Sequence, residues 1–243
     1  MTKFVDQLHV LLGGIAYAQW TSVRVTRSME QAAASFECML SDNTPGRWVP
    51  AVFPPGAPCD IVLGIDVVVS GYIDTYAPQF TGDSHTITIS GRSKTADFID
   101  GSAVVTGGQF KNQTVLQIAQ QLAQPFGIDV SALVDVGDAL ANVQVQQGET
   151  CYALVERLCR LQGLLVSDGP GGSLTLARAG TQRATTALVQ GENIWTARAE
   201  LTAANRFSEY HVKGQRPGAD DAPPTDASEV RGTATDTEVG RFR

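Results

Sequence analysis

The chain has 243 residues, enough for one large domain or two to three small ones, and 43% are apolar, which supports a sizeable core and excludes a disordered chain. With 18 Lys and Arg against 25 Asp and Glu the net charge is -7. This excludes tight wrapping of nucleic acid, whose affinity comes from cations that displace counterions from phosphates. The 24 Gly and 11 Pro favour many turns and short strands, and no stretch approaches the roughly 18–20 apolar residues of a membrane span.

The first twenty residues carry a short apolar stretch interrupted by His9, Gly13 and Gly14, with Asp6 where a basic region would stand, so no secretory signal is read there. From about Trp20 to Ile99 the pattern is β. Val23 and Val25 alternate with Arg24 and Thr26, "FECML" resumes as a second strand, and "PPGAP" (Pro54–Pro58) marks a turn. "CDIVLGIDVVVSGYIDTYAPQF" supplies two or three further β-rich runs, and "HTITISG" is another alternating strand with Ile87 and Ile89 on one face. Short strands at this spacing predict a barrel or sandwich.

The middle, about Gly108 to Arg178, changes to helical periodicity. Val115, Ile118, Ala119 and Leu122 form one stripe, Thr114 and Gln117 have capping-box spacing, and Pro125 and Gly127 end the helix. A second helix carries Cys151, Leu154, Val155 and Leu158 on one face, with Gly163 as its C-terminal cap. "LLVSDGPGGSLTLAR" predicts a hairpin. After about Ala184 β character returns, with a strand-rich segment from Ile194 to Gly214. The following "RPGADDAPPTDASEVRGTATDTEVG" has almost no large apolar residue and reads as a long loop or disordered segment. "RSMEQAAASFECMLS" and "ELTAANRFSEYHVKG" share one layout, a polar Ala-rich turn leading through Phe and Glu into a strand, as a duplicated barrel would.

Catalytic templates fit poorly. Around Ile87–Ala103 a strand, a Gly turn and a Lys-Thr pair resemble a phosphate-binding loop, but Ser93 precedes Lys94 and Thr88 stands where the first Gly belongs. "GDSHT" lacks the final Gly of a hydrolase elbow. His9, His85 and His211 are isolated, and Asp97 and Asp100 read as polar positions of a short helix, so no metal or cofactor is expected. Cys38, Cys59, Cys151 and Cys159 form no C-x-x-C pair and read as buried small hydrophobes. The weight shifts from an enzyme toward a binding or structural role.

The most specific run is "SGRSKTADFIDGSA" (Ser90–Ala103). It resembles the fingerprint of the baseplate hub proteins of Mu-like, contractile-tailed bacteriophages, a strand ending in a G-R-[ST] turn that is followed closely by D-L-x-D. Gly91, Arg92, Ser93, Asp97 and Asp100 hold those places, with Lys94 among them and Phe98 at a common Leu. "FKNQTVLQIAQQLAQPFGIDV" is similar to the first helix of the family's middle domain, "GETCYALVERLCRLQG" to a LysM repeat, and "RFSEYHVKGQ" to the lead-in of a second barrel.

The resemblance implies a mainly β protein with an α+β insertion: two tail-tube-like β-barrels flanking a small LysM-like α/β domain, at 1–106, 107–183 and 184–243. The second barrel is expected to be incomplete here, since the family runs on to finish it. The implied function is structural and non-enzymatic. A homotrimeric ring would join a sixfold tail tube to a threefold central spike in the virion baseplate, after synthesis in the host bacterial cytoplasm. Tube, tape-measure and wedge proteins would be its further partners. DNA would only pass through the lumen, and nothing would insert in a membrane. Arg92 and Lys94 have two readings, an ion pair with a neighbouring subunit or a tie from Arg92 to a carboxylate of its own chain, the second being preferred. Gly91 is expected to permit a sharp exit from the strand, and Ser93 to cap the following helix. The competing readings are a LysM-type cell-wall glycan-binding module and a tail-associated peptidoglycan hydrolase.

Overall fold

The computed structural model describes residues 8–29, 31–41, 53–81, 84–169, 171–180, 183, 185–194, 196–215 and 229–242. They fall into two compact units, Met1–Thr181 and Gln182–Arg243.

The first unit opens with β1 (Leu8–Leu12) and β2 (Ile15–Tyr17), then β3 (Ser22–Thr26), β4 (Ser35–Ser41), β5 (Pro58–Leu63), β6 (Asp66–Phe80) and β7 (His85–Ser93). All pairs are antiparallel, in the order β2-β1-β5-β6-β7-β4-β3, and the sheet curls into a half-barrel. The inward positions Val10, Phe36, Cys38, Ile61, Val69, Ile73, Ile87 and Ile89 pack as one cluster, as period-2 alternation requires. The β region therefore begins at Leu8 rather than Trp20. "LHVLL" is apolar apart from His9 and shows no regular alternation, and its hairpin depends on Gly13 and Gly14, with φ of 58° and 82°. The expected runs after Cys59 resolve into the end of β5 and the single 15-residue β6, whose register shifts between Ile73 and Thr75.

The chain then forms α1 (Thr95–Asp100), β8 (Gln109–Gln113), α2 (Val115–Ala123), β9 (Val130–Ala132), β10 (Leu140–Gln144), α3 (Cys151–Leu161), β11 (Leu165–Asp168) and β12 (Leu174–Ala177). β8 pairs with β10, while β11 and β12 form the expected hairpin, with β9 parallel to β12. Both helical stripes are buried, in a core shared with Phe98, Phe110, Leu174 and Leu176. Thr114 and Gln117 form a reciprocal capping box. Gly163 follows α3 at φ 63°. All four cysteines are buried free thiols, and burial pushes Cys38, Cys59 and Cys159 up to about 12.

In the second unit β13 (Glu209–Gln215) pairs antiparallel with β14 (Glu229–Thr235). Two expectations change here. The strand starts at Glu209, not near Ile194, where an isolated bridge to Gln190 stands instead. The polar stretch after Gln215 is also not all loop. Residues 216–228 lie outside the described residues, but Glu229–Thr235 is a strand, carried by Val230, Thr233, Thr235 and the partner register Val212↔Gly232.

Candidate functional site at the strand–helix junction

The fingerprint run occupies the passage from β7 into α1, and each residue has a local physical reason. Gly91 is inside the β7 ladder, paired with Phe36 on β4 and Ile73 on β6. It was expected to permit a sharp exit from the strand. Instead it provides space: a Cβ there would collide with the Tyr72 carbonyl and stand 2.5 Å from Phe36 Cζ. Gly71, opposite Ser93, has the same restriction against the Arg92 carbonyl. The central strands thus approach closely just where the chain leaves the sheet.

Ser93 is not the helix cap. It is the buried last residue of β7; its Oγ accepts from Ala34 N–H at 3.0 Å and meets Thr95 Oγ1 at 2.7 Å. The N-cap position of α1 falls on Lys94, which is already helical and makes no side-chain cap bond. A serine consumed by the sheet cannot also cap the helix. Lys94 N–H donates to Ser70 C=O at 3.0 Å.

Arg92 is half-exposed and divided between two carboxylates. Its Nε donates to Asp74 Oδ2 and its Nη2 to Asp100 Oδ2, both at 2.9 Å. These bonds hold the guanidinium well above its ordinary value, the Asp100 bond contributing most. The preferred tie within its own chain is present. Asp97 is not brought in: its side chain is exposed, and its carbonyl accepts from Gly101 N–H at 2.8 Å.

A second fastening lies beside it, one that sequence reasoning missed. Asp168, at the end of β11, has a side chain only 3% exposed. Its Oδ2 accepts from Ala34 N–H at 3.2 Å, its Oδ1 from Arg27 Nη2 at 3.3 Å, and its own carbonyl from Arg27 Nη2 at 2.7 Å. Arg27 Nη1 also reaches the Val68 carbonyl at 3.1 Å. A Cβ on Gly172 would stand 3.1 Å from the Lys94 stem and from the Ser70 carbonyl. The β11–β12 hairpin therefore returns to the half-barrel where the chain left it, and Ala32 from the segment before β4 enters the middle core. Arg27, Asp74 and Asp168 carried no sequence signal, being single charged residues far apart in the chain.

The arrangement couples the half-barrel to the middle domain through the chain at Lys94 and the contacts of Asp168. Among the described residues no group of three or more His, Cys, Asp or Glu side chains is placed to hold a metal ion. No helix of the described residues is long and apolar enough to cross a membrane.

Comparison with known proteins divides the first unit at this same junction. Residues 7–93 match the family of the N-terminal domain of Mu phage baseplate assembly protein GpP-like proteins. Residues 95–178 match the second domain of baseplate hub protein gp44-like proteins. The chain is 40% identical to baseplate hub protein gp44 of Escherichia phage Mu over 237 residues, 95% of this chain. It is 32% identical, with a TM-score of 0.87, to the 43 kDa tail protein of prophage MuSo2 from Shewanella oneidensis, covering 98% of this chain and 71% of that one.

The chain belongs to the Mu-like baseplate hub family.

It spans 62% of the length of gp44. A tail protein from Neisseria meningitidis MC58 shares the fold at 21% identity and a TM-score of 0.78, over 98% of this chain and 70% of that one. The boundary between the two family domains falls at Lys94, so the hub fingerprint is the joint between them.

Proposed function

We propose that this chain is a structural, non-enzymatic subunit of a phage baseplate hub in the virion tail, made in the host bacterial cytoplasm. Three copies form a ring that joins a sixfold tail tube to a threefold central spike, with tape-measure and wedge proteins as neighbours and DNA passing through without being gripped. The half-barrel is the first of two tube-like barrels, Glu209–Thr235 contributes to the second, and a LysM-like middle domain lies between them in sequence. The division 1–106, 107–183 and 184–243 belongs to this reading. α1 is shared between the first two parts, because Phe98 packs in the middle core. The observation that supports the reading most is the 40% identity to a hub protein along 95% of the chain. The net charge of -7 agrees with a lumen that repels phosphate.

Arg92, Lys94, Asp97 and Asp100 are proposed to lie at a subunit contact. Asp97 and Asp100 remain exposed, and one guanidinium serves two carboxylates, which leaves negative charge for a neighbour's cation.

Solution mass by light scattering tests the ring, against a monomer of 25.8 kDa. A trimer that loses mass when Asp97 and Asp100 are both changed to Lys supports ring and contact together. A trimer indifferent to that change keeps the ring and removes the contact. A strict monomer at all concentrations and salts, with a threefold spike protein added, refutes the ring.

A further inference from the structure

β8 has one strand partner among the described residues, β10. In an antiparallel ladder residues alternate between pairs that exchange their backbone bonds and pairs that turn them outward. Val145 N–H donates to the Gly108 carbonyl at 3.0 Å, so the next outward positions on β8 are Gln109 and Lys111. Their backbone groups face a free edge.

That edge borders an open cleft of about 980 Å³ between β8 and the C-terminal end of α2, lined among others by Gln109, Lys111, Gln113, Gln121, Gln124 and Phe126. Three features bear on what it takes. Gln113 Oε1 is buried and has no hydrogen-bond partner among the described residues, and a buried acceptor left unpaired costs about 1–3 kcal/mol until a donor reaches it. Among the described lining residues Lys111 is the one that carries a charge, in a chain of net charge -7. The free edge offers a row of backbone donors and acceptors that an extended polypeptide matches and a sugar does not.

We propose that this cleft docks an extended, acidic segment of a partner polypeptide, added as a strand to β8 beside Gln109 and Lys111. Lys111 and Asn112 also determine what is refused. Asn112, at φ 50°, drops out of the ladder with β10, and a lysine on an edge discourages neutral or cationic strands. An acidic strand is the one for which that lysine becomes attractive. The partner's backbone or side-chain N–H would satisfy Gln113 Oε1. This inference stands independently of the ring.

The test uses the full chain against a displayed random heptapeptide library, with a hexamer of N-acetylglucosamine as a parallel probe. The expected result is a retained pool rich in Asp and Glu. Lys111→Glu should lower its capture at least about tenfold without moving the thermal unfolding midpoint. Gln113→Leu should also weaken capture while leaving stability equal or higher, because it removes an unpaired buried acceptor. Hydrogen exchange at the Gln109 and Lys111 amides should slow on binding. No acidic enrichment, capture indifferent to Lys111→Glu, or binding of the sugar hexamer in place of peptides would overturn the proposal.

Discussion

Glu149 shows how a single side chain fixes the start of α3. Its side chain is only 7% exposed and accepts from Arg157 Nε at 2.8 Å and Nη2 at 3.0 Å, and from Gln146 N–H at 3.0 Å. The Arg157 bonds hold its carboxyl below the ordinary carboxylate value of 4.5, against the opposing effect of burial. A folded-state value below the unfolded one stabilises the fold above pH 4.5, and that stability is lost as pH falls through the folded value. Glu149→Gln should therefore cost about 1–2 kcal/mol at pH 7, reduced from a fully buried pair because Arg157 is partly solvated. Urea unfolding across pH checks this. The gap between the natural chain and the variant should be widest near neutrality and close below pH 4.5; a gap that ignores pH would assign the loss to packing. Glu149 stood in plain view in "GETCYALVERLCRLQG", yet only the helix was legible there. An ion pair across eight residues (from a preceding loop to a helix face) depends on the angle at which the helix starts.

At the scale of elements, the hairpin β11–β12 is what makes the middle domain and the half-barrel one body. Lys94 is the covalent link, and Asp168 with Arg27 and Ala34 is the second attachment. Removing the Asp168 carboxylate leaves Arg27, 29% exposed at its side chain, without its buried partner. Asp168→Ala should cost about 2–3 kcal/mol, less than the loss of a fully buried pair, because Arg27 can recover water. Hydrogen exchange should speed up in β11, β12 and the segment before β4, while β8 and α2 keep their protection. Uniform loss across the unit would mean that Asp168 supports the core and not the joint. The elements themselves were largely legible. Thr114 and Gln117 announce the start of α2, Gly163 the end of α3, and Ile87 with Ile89 the inward face of β7. What failed was strand detection where period 2 is masked, in the mostly apolar run Leu8–Leu12 and in the polar, Gly-containing run Glu229–Thr235. Gly91 was read as a turn residue because sequence shows a glycine's freedom but not the neighbour it avoids, here Phe36 and the Tyr72 carbonyl.

For the whole molecule, the family was legible because one short run concentrates several constraints: close strand approach at Gly91, the Arg92 tie, and the buried Ser93–Thr95 pair. The hub role came with the family, but the symmetry of an assembly is not legible in the residues, since it is a property of surfaces that a single chain does not pair with itself. Charge is the one whole-chain property that speaks to DNA passage. Non-specific affinity for duplex DNA typically lies at about 10⁻⁴–10⁻⁶ M and comes from Lys and Arg that release phosphate counterions. This chain has seven more acids than bases, and copies placed around a channel, as in the proposed ring, would add to that field. A fluorescently labelled duplex of about 30 base pairs should remain free at protein concentrations up to about 100 μM and at about 50 mM salt, the condition most favourable to binding. The measurement belongs on the monomer and on the proposed ring separately. A ring that gathers some of the 18 Lys and Arg of each copy onto one surface would show it only when assembled. Binding by the ring that weakens steeply as salt rises would mean a basic lumen, and DNA would then be held during passage. Freedom from DNA in both states would support the proposed passage by repulsion, with movement set by the field and not by detachment from successive sites.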